Sequence, residues 1–63
     1  GKILAVKEAI SRLESRMGKL IPVEEIEKEL ANTISKDDLE DAIFQLSKSG
    51  DIFKPRHGYI QKI

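Results

Sequence analysis

Two glycines divide this chain of sixty-three residues and fix what it can become. Gly18 and Gly50 each close a run whose apolar residues fall on one side of a helix. In the first run Ile3, Val6, Ile10, Leu13 and Met17 are spaced by three, four, three and four residues, with Ala9 at the edge of the stripe. Glu8 and Arg12 form an i,i+4 pair away from it. Gly18 then stops the helix, because glycine takes a left-handed conformation without a Cβ clash. Leu20-Ile21 is a strand stub or an extended connector. Pro22 suits a first helical position, where its missing N–H costs nothing. Glu24 and Glu25 follow in the turn that the helix dipole favours for acids. Val23, Ile26 and Leu30 supply that helix's buried face, and it is expected to end near Asn32. Ser35-Lys36-Asp37-Asp38 is a capping signature that opens a third helix, carried through Leu39, Ala42, Ile43 and Leu46 to Gly50.

Beyond Gly50 the chain reads as a hairpin: a strand over 51–54, a tight turn at Pro55-Arg56-His57-Gly58, and a returning strand over 59–63. The order is helix, short strand, helix, turn, helix, hairpin. That predicts an α+β fold, a winged helix-turn-helix with three helices, a short strand and a C-terminal β-hairpin wing. The competing architecture, a three-helix bundle with a disordered tail, is disfavoured by the aromatic and aliphatic residues after Gly50. The expected core is Ile3 or Val6 with Ile10, Leu13, Ile26, Leu30, Leu39, Ile43, Leu46 and Ile52. Residues 1–63 make a single domain, since there is no room for a second core; beginning at Gly1 rather than Met, it is read as a piece cut from a longer protein.

Several chemistries are hard to build from these residues. Cysteine is absent, which excludes disulfides, thiol nucleophiles and thiolate metal sites. His57 is the one histidine and has no partner near it in sequence for a metal or a proton relay. The longest aliphatic run near the start is Ile3-Leu4-Ala5-Val6, too short for a signal-peptide core or a membrane span. Eleven basic residues balance eleven acidic ones, unlike the uniformly basic surface of a dedicated nucleic-acid binder.

The distribution of charge is more informative than its sum. The segment from Lys2 to Lys19 has five basic and two acidic residues, and the hairpin from Asp51 to Lys62 has three and one. The second helix has one basic against four acidic, and the third two against four. In a helix-turn-helix that reads DNA, the third helix enters the major groove. Here its start carries Asp37, Asp38, Glu40 and Asp41, which phosphates repel. Sequence-specific reading by that helix is not expected. The wing differs: Lys54, Arg56, His57 and Lys62 cluster there, and they are the candidate contacts to nucleic acid or to a partner. Lys7, Arg12, Arg16 and Lys19 are candidates to extend that patch. Phe53 and Tyr59 are expected to pack on the core. Phe44, one residue off the third helix's apolar stripe, is the candidate apolar contact with a partner protein; the alternative is that it covers the side of the core under the wing.

The stretch Ser49-Gly50-Asp51-Ile52-Phe53-Lys54-Pro55-Arg56-His57-Gly58-Tyr59-Ile60 resembles the end of a minichromosome maintenance (MCM) replicative DNA helicase. Archaeal members of that family close with a winged-helix domain. Its last helix leads into a Gly-acidic-Ile-aromatic-x-Pro-Arg-x-Gly-Tyr hairpin, and the Leu39–Leu46 helix is also similar. The resemblance is specific over about the last third of the chain and elsewhere rests on element order. It implies a parent chain that is an ATP-driven, hexameric helicase of the AAA+ class. ATP and magnesium would bind upstream, because no Gly-x-x-x-x-Gly-Lys-Ser/Thr loop occurs in this chain. It further implies a monomeric, non-enzymatic, cofactor-free appendage that modulates the motor. Its partners would be the helicase core and replication proteins, with weak non-specific DNA contact and no membrane. The compartment would be the cytoplasm and nucleoid of an archaeon, or the nucleus of a eukaryote. The other readings are a winged-helix transcription regulator that binds duplex DNA, and a protein-interaction winged helix from an endosomal sorting or proteasome-lid complex.

Overall fold

Gly50 ends the third helix through a pair of backbone hydrogen bonds that only a left-handed residue permits. Its φ of 86° and ψ of 13° let its N–H reach the Ser47 carbonyl at 3.2 Å and the Asp51 N–H reach the Leu46 carbonyl at 3.0 Å. This crossed pair is a Schellman motif. A computed structural model describes residues 1–63 as three helices and three strands: α1 Lys2–Met17, β1 Ile21–Pro22, α2 Val23–Glu29, α3 Lys36–Ser49, β2 Ile52–Phe53 and β3 Tyr59–Lys62. At the start of α3 the Ser35 Oγ accepts from the Asp38 N–H at 3.2 Å, the bond the capping signature predicts. The strands form one antiparallel sheet in the order β1-β3-β2, with Ile21 opposite Ile60 and Phe53 opposite Gln61. No helix is long and apolar enough to cross a membrane.

α2 differs from its expected form at both ends. Pro22 is not its first residue; it sits in β1 opposite Tyr59, with extended φ and ψ of −66° and 135°. β1 is an edge strand, where proline's missing N–H removes little from the ladder. The next donor, the Val23 N–H, bonds to the Gly58 carbonyl at 2.9 Å and ties α2 to the β2–β3 loop. α2 stops at Glu29 rather than near Asn32, because the Leu30 carbonyl takes the N–H groups of both Thr33 and Ile34. That tight turn buries Leu30 and brings Ile34 against the core.

Every fully buried residue is apolar. α1 contributes Val6, Ala9, Ile10 and Leu13, α2 and its turn Ile26 and Leu30, α3 Leu39, Ala42, Ile43 and Leu46, and the strands Ile21, Ile52 and Ile60. Ile3 and Met17 share α1's apolar stripe yet remain 43% and 42% exposed. They lie at the two ends of a sixteen-residue helix whose middle alone is covered. Phe53 and Tyr59 also depart from expectation: Phe53 is exposed and Tyr59 half-buried. Successive strand residues face opposite sides of a sheet, and the inward places are taken by Ile52 and Ile60.

The Glu8–Arg12 pair does not form. Arg12 Nε instead donates to Glu29 Oε2 at 2.9 Å and Arg16 to Glu29 Oε1 at 3.0 Å, so one carboxylate ties the last turns of α1 and α2. The bond from Arg12, then that from Arg16, holds the Glu29 carboxyl below its ordinary value of 4.5. At the other end of α1, Lys2 bonds to Asp38 at 2.8 Å and holds that carboxyl below 3.8. A carboxyl with a lowered folded-state pKa stabilises the protein above its unfolded value and loses that contribution as pH falls through the folded one. The thermal midpoint should therefore be flat down to about pH 5 and decline below it. The Glu29→Gln variant should start lower at neutral pH and decline less. Equal acid sensitivity in a thermal scan of both proteins would show the Glu29 link to be idle.

Candidate partner and nucleic-acid interface

The short β2–β3 loop runs between strands fixed by the buried Ile52 and Ile60, and it is held against α2 by the Val23–Gly58 bond. This brings Lys54, Arg56 and His57 together around one hollow, with Val23 and Gly58. All three are exposed, and none is in an ion pair. The Arg56 guanidinium lies 5.7 Å from the centre of the Tyr59 ring, a cation–π distance that steadies a long side chain on the loop. The Arg56 carbonyl accepts from the Tyr59 N–H at 3.2 Å.

Lys62 does not join them. It lies at the far end of β3, where its Nζ donates to Ser11 Oγ at 3.3 Å, and it lines a separate hollow with Lys7, Asp51 and Ile63. Of the α1 cations expected to extend the hairpin's patch, Arg12 and Arg16 are engaged with Glu29, and Lys7 lies beside Lys62. Lys19 is exposed between α1 and β1.

The outer side of α3 carries the opposite charge. Asp37, Glu40 and Asp41 are exposed and have no ion-pair partner, while Asp38 is held by Lys2. The same stripe continues to Phe44, 59% exposed, with Lys48 Nζ 5.8 Å from the ring centre. Phe44 therefore stands off the core. It lines a hollow of about 350 Å³ with Glu40, Ser47, Ile52, Phe53 and Lys54, so α3 and β2 place two exposed phenyl rings at one site. A strand position alone suggests that Phe53 packs on the core; strand alternation, with Ile52 inward, is the signal that places it outside.

No three His, Asp or Glu side chains converge in a way that could hold a metal ion. The molecule presents a cationic loop at one end of the hairpin and an acidic, aromatic face along α3. Comparison with protein-family models, with curated proteins and with solved structures found no match.

Proposed function

We propose that this chain is a winged-helix domain that docks protein and modulates a motor, the C-terminal regulatory part of an MCM-type replicative helicase. Three helices with a strand between the first two, and a C-terminal hairpin whose second strand pairs between the other two, support the winged-helix reading. The β2–β3 loop is then the wing. The resemblance of Ser49–Ile60 to the family's closing hairpin supports the choice of parent. One observation carries the functional half: the side of α3 that would enter a major groove presents Asp37, Glu40 and Asp41, all exposed and unpaired. Phosphates on either side of the groove would meet carboxylates, whereas a protein surface can complement them. DNA contact in this reading is confined to Lys54, Arg56 and His57, is weak, and is indifferent to sequence. Catalysis, with ATP and Mg²⁺, is assigned to the upstream motor.

Deleting residues 1–63 from such a helicase should leave ATP hydrolysis and unwinding present, with the hexamer intact and the rates changed several-fold. Parallel assays of ATPase, strand displacement and oligomer size check this. Complete loss of both activities in an intact hexamer, or rates identical to the whole protein's, would overturn the regulatory reading.

A further inference from the structure

We propose that the hollow between α3 and β2 is a docking site for a short basic segment of a partner protein, one with an apolar anchor flanked on one side by Lys or Arg. This rests on the docking half of the proposed function and gives that partner a chemistry.

The anchor is required by Phe44 and Phe53. Among the exposed large apolar side chains, these two rings, 59% and 41% exposed, line the same hollow together with the buried Ile52. Aromatic side chains in such a depression are the usual energetic centre of an interface, because they bury much area at little cost in rotamer freedom. Ser47 adds a polar mark. It lines the hollow, yet its Oγ is out of solvent and has no hydrogen-bond partner.

The flanking charge follows from position along α3. Glu40 and Asp41 precede Phe44 by one turn and Asp37 by two, so all lie on the same side of the helix. None has an ion-pair partner in this chain. The opposite edge of the hollow is cationic, with Lys54 lining it and Lys48 over the Phe44 ring. A segment anchored on the phenyl rings therefore meets attraction for its basic end only toward Asp37, and the charge gradient sets its direction. Duplex DNA fits poorly, since phosphates would face three carboxylates. A second copy of this chain could offer its own Lys54-Pro55-Arg56-His57 loop, which has no large apolar side chain, or Lys19-Leu20 and Lys62-Ile63, and dependence on protein concentration separates that occupant. The hollow holds one or two side chains, which suits a peptide segment with modest affinity rather than a domain face.

The test is an amide NMR titration of the whole chain with a synthetic peptide in which a leucine pair is flanked by lysines. A matched peptide with glutamates in place of the lysines is the control. The lysine peptide should shift Glu40, Asp41, Phe44, Ser47 and Phe53, and added salt should weaken it. Phe44→Ala should weaken binding about tenfold or more. The combined Asp37→Asn, Glu40→Gln and Asp41→Asn variant should lose about tenfold and most of the salt dependence. Arg56→Ala, whose side chain lines a different hollow, should bind at least as well as the parent. Circular dichroism confirms that each variant keeps its fold. The inference is overturned by equal binding of the glutamate peptide, by shifts that map elsewhere or do not occur, or by binding that survives Phe44→Ala. Shifts of the same residues on raising protein concentration alone would make a second copy the occupant, and this too overturns it. The helicase deletion can still change the motor's rates if the peptide fails, and the peptide can still bind if that deletion changes nothing.

Discussion

Replacing Ile43 with alanine is expected to unfold much of the protein, while the same change at Phe44 leaves its stability nearly untouched. The two residues are adjacent on α3, and Ile43 is 4% exposed against 59% for Phe44. Cutting a buried isoleucine to alanine removes its transfer energy and leaves a cavity, together ~2–5 kcal/mol. A domain of this length holds only about 3–9 kcal/mol in all, so the Ile43→Ala loss is a large share of the total and exceeds it at the lower end of that range. At Phe44 two small effects oppose each other. Losing the ring's contact with Lys48 costs up to about 1 kcal/mol at an exposed site. Alanine is the better helix former, which offsets roughly half of that. Urea unfolding of both variants beside the parent measures the contrast. A midpoint for Phe44→Ala as low as that for Ile43→Ala would mean that the ring is part of the core and that the α3–β2 hollow is filled from within.

Legibility in the sequence tracked how local each determinant is. α3 could be read from end to end because its limits are chemical signals carried by single residues, the Ser35 hydroxyl and the Gly50 backbone. The end of α2 could not be read so closely. It is set by the double use of the Leu30 carbonyl, which follows from where Leu30 and Ile34 must pack. β1 is two residues long and has no period to detect; Ile21 became part of the core only through its pairing with Ile60. The Glu8–Arg12 pair satisfied helical spacing but lost to Glu29, a carboxylate seventeen residues on that two arginines can share. Nearness in sequence also overstated the hairpin's cationic cluster. A strand advances about 3.3 Å per residue, so Lys62 stands roughly 13 Å beyond Gly58, on the other side of Ile60 from the loop. The acidic face of α3 needed one change, the loss of Asp38 to Lys2, and helical spacing alone places Asp37, Glu40, Asp41 and Phe44 on one stripe.

Duplex DNA offered to this chain should bind weakly, without preference for sequence, and with a salt dependence set by two cations. Lys54 and Arg56 are exposed, share one hollow with His57, and have no carboxylate partner to compete with a phosphate. Two neutralised phosphates give a slope of about −1.8 in log K against log salt, which is roughly a tenfold loss between 50 and 200 mM. If Lys62 and Lys7 belonged to the same surface the slope would be about twice as steep, but they line a different hollow beside Ser11. The Lys54→Ala, Arg56→Ala variant should lose nearly all binding, because phosphate attraction is the one favourable contact available and no base edge is read. The Asp37→Asn, Asp41→Asn variant should bind as before or more tightly, since it removes like-charge repulsion toward the duplex. An amide NMR titration with two short duplexes of unrelated sequence, repeated at both salt concentrations, reports all of this residue by residue. Shifts confined to Lys54–Gly58 and equal for both duplexes fit contact at the wing. Shifts centred on Lys36–Gln45, with one duplex preferred, would make α3 a recognition helix despite its carboxylates, and the chain would then be a regulator of transcription rather than a domain that modulates a motor.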